Sequence, residues 1–238
     1  MPAVVAHRCG GTLAPENTLI GLELAVAHHC AAVEFDVMLS GSSTPILIHD
    51  ETLQRTTDGR GRVSDTPDAA LFALDAGAWK SPDFTGQRIP RLSETLDRCV
   101  ALGLAVNAEI KPASGFDEAT GRAAAALCAR FATKLSFLLS SFSVSALEAA
   151  REVAPDLPRA LLVERIPADW AQVAARLDLD GFVCNTRHLT QKTAQALREA
   201  GFGLAVYTEN DPAHAATLFG WGVQSVITDR PDRVRAPA

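Results

Sequence analysis

The feature that most constrains this chain is an alternation of short apolar runs with longer amphipathic stretches, kept up from end to end. The short runs are AVVA (3–6), AAVEFDV (31–37), LAVNAEI (104–110), LSFLL (135–139), RALLV (159–163), GFVC (181–184), GLAVYT (203–208) and SVIT (225–228). Helix-spaced segments separate them, at 17–29, 92–103, 118–132, 144–154, 168–177, 189–201 and 211–222. Runs of four to eight apolar residues read as buried strands, and the longer periodic stretches as helices. Such alternation implies a parallel sheet with both faces covered by helices. Eight units predict a TIM (β/α)8 barrel over residues 1–238 as a single domain, close to the usual length of ~250 residues. A doubly wound open sheet is the runner-up. PILIH (45–49) pairs as a hairpin with the second strand, and only ten residues follow the last strand, so the final helix is short or absent.

One connection departs from this rhythm. Residues 50–90 separate PILIH from the next helix, far beyond the ~2–6 residues of an ordinary βα loop. Their content, DETLQRTTDGRGRVSD and then WKSPDFTGQRIP, is polar and turn-rich. We read them as an insertion that caps the barrel mouth after the second strand.

Composition excludes some partners. A net charge of −6 argues against nonspecific nucleic-acid binding, which needs clustered positive charge. The start MPAVVAHRCGG lacks the basic residues and apolar run of ~7–15 residues that a secretory signal needs. No apolar run approaches the ~20 residues of a membrane span, so membrane insertion is not expected. Five cysteines (Cys9, Cys30, Cys99, Cys128, Cys184) stand without paired spacing, as reduced thiols do in a cytoplasmic protein. The oligomeric state is left open.

Charges appear where a barrel interior should be apolar. Residues i and i+2 of a strand share a face. In VEFDV, Glu34 and Asp36 therefore point one way, while Val33, Phe35 and Val37 point to the helices. In NAEIK, the same rule aligns Asn107, Glu109 and Lys111. Three converging carboxylates repel one another and raise their own pKa values. A divalent cation removes that conflict, and an all-oxygen donor set suits Mg²⁺ or Ca²⁺ over zinc. The competing reading pairs these charges with Arg or Lys at strand ends.

His7 ends the first strand and His49 ends PILIH, where barrel enzymes place their chemistry, so the two are candidates for general acid and base. Arg8 offers a planar fork to a phosphate beside the Gly10–Gly11 turn. Glu16 takes a supporting place in the site, and Asn17 is read as a helix cap. His28, His29, His188 and His214 fall on or near helices and are given surface or capping roles.

Together these segments resemble the glycerophosphodiester phosphodiesterase family. AHRCGGTLAPENT is similar to its HRG…PENT signature, VEFDV to its E-x-D strand, LIHDETLQRTTDG to its HD…L.RTT.G segment and NAEIKP to its EIK strand. LLSSF (138–142), VYTEN (206–210) and WGVQSVITDRP (221–231) resemble later blocks. The likeness is greatest to the cytosolic bacterial branch associated with glycerol-phosphate uptake. It implies that Glu34, Asp36 and Glu109 hold one divalent cation, Mg²⁺ favoured, with Ca²⁺ or Mn²⁺ as alternatives. It further implies His7 and His49 as the acid/base pair, Arg8 and Lys111 on the phosphate, and Tyr207 and Trp221 at the mouth. The implied reaction hydrolyses a small glycerophosphodiester to sn-glycerol 3-phosphate and an alcohol.

Two departures stand out. Cys9 replaces the glycine of HRG; if that position needs a positive φ, cysteine costs ~1–2 kcal/mol. GSSTPI replaces the usual turn of an acidic residue and glycine after the second strand. The alternatives are a phospholipase of the C or D type, a noncatalytic glycerophosphodiester-binding protein, and a metal-dependent aldolase or isomerase on the same fold.

Overall fold

The computed structural model describes residues 1–237. Nine strands form in chain order: β1 (Val4–Ala6), β2 (Ala32–Leu39), β3 (Pro45–Leu47), β4 (Ala105–Ile110), β5 (Phe137–Ser141), β6 (Arg159–Val163), β7 (Gly181–Asn185), β8 (Gly203–Tyr207) and β9 (Ser225–Thr228). The helices are α1 (Leu19–Ala27), α2 (Asp68–Leu71), α3 (Leu92–Leu102), α4 (Asp117–Ala129), α5 (Val144–Val153), α6 (Trp170–Leu177), α7 (Gln191–Glu199) and α8 (Pro212–Gly220).

Eight strands pair in parallel in the order β1-β9-β8-β7-β6-β5-β4-β2, and β1 pairs with β2 to close the ring. The fold is a TIM barrel, and the open sheet is ruled out by that closing pair. β3 lies outside the ring, antiparallel to β2, as the hairpin reading of PILIH requires. No helix follows β9 among the described residues.

Side-chain alternation divides the strands as the period-2 pattern demands. Val33, Phe35 and Val37 pack with Leu22 of α1 and Leu96 of α3 in the layer between barrel and helices. Val5, Ala32, Leu162, Val183, Ala205 and Ile227 fill the barrel interior. Apolar burial of this kind contributes ~25 cal/mol per Å² and drives closure. Helix starts are set locally. The Ser143 hydroxyl accepts from Ala146 N–H to cap α5, and Asp211 caps α8 with Pro212 in its first turn.

The insertion is ordered. Val63, Leu71, Ala76 and Ile89 bury with Met38 and Ile48 in a small core of their own. Its polar sequence gives no hint of this, because the apolar residues are spaced irregularly between turns. Ser40 and Thr44 hydroxyls donate to Asp68 at 2.5 and 2.6 Å, so the serine-rich turn after β2 ties the hairpin to the insertion. No helix of the described residues is long and apolar enough to cross a membrane.

Candidate active site

The C-terminal ends of the strands converge on a cavity of about 200 Å³. Its lining includes His7, Arg8, Glu34, Asp36, His49, Asn107, Glu109, Lys111 and Tyr207, with Phe142, Leu162 and Ile227 as apolar wall. Glu34 and Asp36 project inward from β2, and Asp36 lies in register with Glu109 on β4. Each of the three acids brings an oxygen within 4.8 Å of the others, and all three are buried.

Electrostatics sets these acids apart. Burial and the neighbouring Asp36 charge push Glu34 up to about 7 and Glu109 up to about 8. Asp36 goes the other way. Burial opposes its charge, but His49, Arg8 and Lys111 outweigh that and hold its carboxyl below the ordinary value. Lys111 Nζ stands 3.4 Å from Glu109 and 3.9 Å from Asp36. The Oε1 atom of Glu34 is buried with no hydrogen-bond partner. An orphaned carboxylate oxygen among hard oxygen donors fits a divalent cation such as Mg²⁺ or Ca²⁺.

The two histidines are oriented alike. His7 Nδ1 lies 2.7 Å from Asp229 Oδ1, and His49 Nδ1 lies 2.6 Å from Asp50 Oδ1. An ionised carboxylate only accepts, so Nδ1 carries the proton in both rings and Nε2 is left to the cavity. Burial by itself lowers both imidazoles. At His7 the Asp229 bond and the Glu34 charge overcome it, and the net shift is upward. At His49 burial prevails, and the net shift is downward.

Arg8 follows at a positive φ of 47°, and its backbone N–H donates to Glu34 Oε2 at 2.8 Å. Its guanidinium donates to Glu16 at 2.9 Å, while its Nε is buried without a hydrogen-bond partner. Arg55 of the insertion donates to both Glu16 oxygens and to Asp50, tying the His49 support to the Arg8 support. Gly11, at φ 59°, lets this turn meet the last strand: a Cβ there would lie 2.3 Å from the Asp229 carbonyl.

Two sequence readings change, and the condition set on Cys9 is met. Asn17 does not cap α1, whose N-cap is Thr18. At φ 56°, Asn17 donates to Asp36 Oδ2 at 2.8 Å and accepts from Asp36 N–H at 3.1 Å. Trp221 is not at the mouth. It ends α8 and packs in the layer outside the barrel, because the residues that lead into a strand lie at the face opposite the strand's C-terminal end. Cys9 does sit at positive φ (76°), so the strain is present, and its Cβ is seated against the bare Cα side of Gly21 on α1.

Asp229, Asp50, Arg55 and Phe142 complete the site without having been singled out from the sequence. Asp229 and Asp50 lay within motif blocks, directly after a strand end and after a histidine, and that adjacency was the available signal.

A family model for the glycerophosphoryl diester phosphodiesterase family matches residues 7–233. The chain belongs to that family. As a glycerophosphoryl diester phosphodiesterase relative it is an enzyme of the phosphoric diester hydrolase class. It is 31% identical to the YhdW protein of Bacillus subtilis over 235 residues, covering 96% of this chain and 95% of that one. It is 29% identical to a glycerophosphodiester phosphodiesterase of the same organism, covering 96% and 83%. Among solved structures, an Oleispira antarctica phosphodiesterase in complex with the product sn-glycerol-3-phosphate superposes with a TM-score of 0.92 at 35% identity. That superposition covers 98% of this chain and 95% of the other.

Proposed function

We propose that this enzyme hydrolyses glycerophosphodiesters, such as glycerophosphocholine or glycerophosphoethanolamine, to sn-glycerol 3-phosphate and an alcohol. One observation carries the reading. Two imidazoles, each fixed through Nδ1 by its own carboxylate, turn Nε2 toward the cavity that holds three acids and an arginine. Phosphodiester cleavage needs one proton removed from the attacking oxygen and one delivered to the departing oxygen, and His7 and His49 supply that pair. The product held by the Oleispira relative has the same chemistry.

The Arg8 guanidinium, whose Nε lies 3.6 Å from Asp36 Oδ2, lines the cavity and supplies positive charge to the phosphate, and Lys111 adds a second. Tyr207, with Phe142, Leu162 and Ile227, gives the glycerol carbons an apolar wall. Glu16 takes no part in the chemistry; it holds the Arg8 guanidinium. A divalent cation on Glu34, Asp36 and Glu109, Mg²⁺ in preference to Ca²⁺ or Mn²⁺, supplies Lewis-acid stabilisation of charge on the phosphoryl oxygens. Attack by the substrate's own hydroxyl and attack by water use the same two histidines.

Residues 1–238 act as one catalytic domain capped by the insertion at about 50–90. Five buried free cysteines suit a cytoplasmic setting, and the cavity suits a small molecule, not nucleic acid or a bilayer. The test couples released glycerol 3-phosphate to its dehydrogenase, with glycerophosphocholine and Mg²⁺ supplied. Turnover that chelation abolishes supports the reading; tight binding without turnover under Mg²⁺, Mn²⁺ and Ca²⁺ contradicts it.

A further inference from the structure

A second cavity, about 260 Å³, shares His7 and Arg8 with the first and is lined beside them by Glu16, which holds the Arg8 guanidinium. Gly11, Thr12, Ala14, Asp229, Trp79 and Lys80 complete its lining. Its volume has room for a small polar group. The Trp79 ring is fixed, because its indole N–H donates to the Ala76 carbonyl at 2.9 Å. Trp79 and Lys80 both come from the insertion, so that segment builds a wall of the site as well as its lid.

The charges in this cavity are unequal in availability. Glu16 is spent on Arg8 and Arg55, through both of its oxygens. Asp229 is bonded to His7 through Oδ1 and accepts from Asn210 through Oδ2 at 3.3 Å. Lys80 makes no ion pair among the described residues, whereas Lys111 in the first cavity makes two. The uncommitted charge is therefore positive and stands beside an aromatic face.

His7 and Arg8 line both cavities, so a phosphate held at Arg8 would have its two diverging ester oxygens within reach of one cavity each. With the glycerol half in the first cavity, the alcohol half enters the second. We infer that the Trp79–Lys80 cavity is the leaving-group subsite, and that Lys80 selects an alcohol carrying a negative charge over a cationic one. This rests on the proposed diesterase reading. The ring of Trp79 packs on the carbon skeleton of the alcohol, and Lys80 meets its anionic group.

Glycerophosphoserine and glycerophosphoethanolamine differ by one carboxylate and make the probe pair. The expected result is a higher kcat/KM for glycerophosphoserine. Lys80→Gln should lower the serine-to-ethanolamine ratio about two- to fivefold, the range an exposed ion pair supplies. Raising ionic strength should shrink the wild-type ratio, because the charge is solvent-exposed. Lys134→Gln, which removes an exposed charge just before β5 at the far end of the barrel, should leave the ratio as it is. A ratio unmoved by Lys80→Gln overturns the assignment. So does a wild-type preference for ethanolamine that Trp79→Ala removes, which marks a cation–π site instead. If neither substrate is hydrolysed, the diesterase reading itself fails. If both are hydrolysed with equal kcat/KM, only the subsite inference fails.

Discussion

His7 and Asp229 lie 222 positions apart in the chain and 2.7 Å apart in space. One follows β1 and the other follows β9, the strands that lie side by side where the chain's two ends meet in the ring. Barrel closure and the orientation of an imidazole are thus one event. Thr12 N–H, donating to the Asp229 carbonyl at 2.8 Å, and Gly11, with no side chain to obstruct it, hold the two turns together.

Asp229→Asn should therefore cost activity without unfolding the protein. An amide can donate to Nδ1 and favour the wrong tautomer, which takes the proton to Nε2. The expected loss in kcat is roughly 10–100-fold, part of the ~10²–10⁴-fold that a general acid or base supplies. Steady-state kinetics with unchanged circular dichroism checks it, and wild-type kcat in the variant would remove Asp229 from the mechanism.

The raised carboxylates give a pH dependence with a defined sign. Glu34 and Glu109 titrate near 7 and near 8 in the metal-free fold, against 4.5 ordinarily, so the folded state holds more protons than the unfolded one across that interval. Their contribution to stability is present below pH 4.5 and is lost as pH rises through about 7 and 8. Cation binding must displace those protons, so it tightens with pH over the same window. The Mg²⁺-induced rise in Tm should be larger at pH 8 than at pH 6. An equal rise at both, by scanning fluorimetry, would contradict the assigned ligands.

Asn17→Gly isolates what the Asn17 side chain does for Asp36. Glycine accepts the φ of 56° without strain, so the folded state loses only the two hydrogen bonds, and the freer unfolded chain adds a cost of about 0.4–1 kcal/mol. The Asp36 N–H is then buried without a partner, at a cost of about 1–3 kcal/mol. Cation affinity should fall by about 10–100-fold, as it does when a group supporting a metal ligand is removed. Chemical denaturation and calorimetric titration read the two effects separately.

Cys9 and Gly21 should be energetically coupled. A Cβ at Gly21 would lie 2.9 Å from Cys9 Cβ, so Gly21→Ala overpacks this contact, at about 1–3 kcal/mol. In a Cys9→Gly background the nearest obstacle is gone, and the helix preference of alanine, about 1 kcal/mol over glycine, offsets more of the cost. A double-mutant cycle in urea should give a coupling of at least about 1 kcal/mol, and additive effects would contradict it.

The strand pattern of VEFDV and NAEIK was enough to turn Glu34, Asp36 and Glu109 inward, because a period of two is set by the backbone alone. The alternation of runs likewise carried the barrel. Asn17 was not legible, since its role depends on a left-handed φ and on a partner 19 residues away. Trp221 misled for a different reason: the family-like block drew it to the mouth, although its place ahead of the last strand puts it at the opposite end. The core of the insertion was hidden by irregular spacing, where no period groups Val63, Leu71 and Ile89. Of its contributions to the site, Asp50 was signalled only by its place after His49, and Arg55 not at all, since its partner Glu16 stands 39 positions away.

The central claim is that His7 and His49 move the two protons of phosphodiester cleavage. Single-turnover release of glycerol 3-phosphate from glycerophosphocholine, with Mg²⁺ saturating, tests it most directly in wild type, His7→Ala and His49→Ala. Each variant should be slower by ~10²–10⁴-fold while keeping a wild-type Tm within a few degrees. Wild-type rates in either variant would contradict the account.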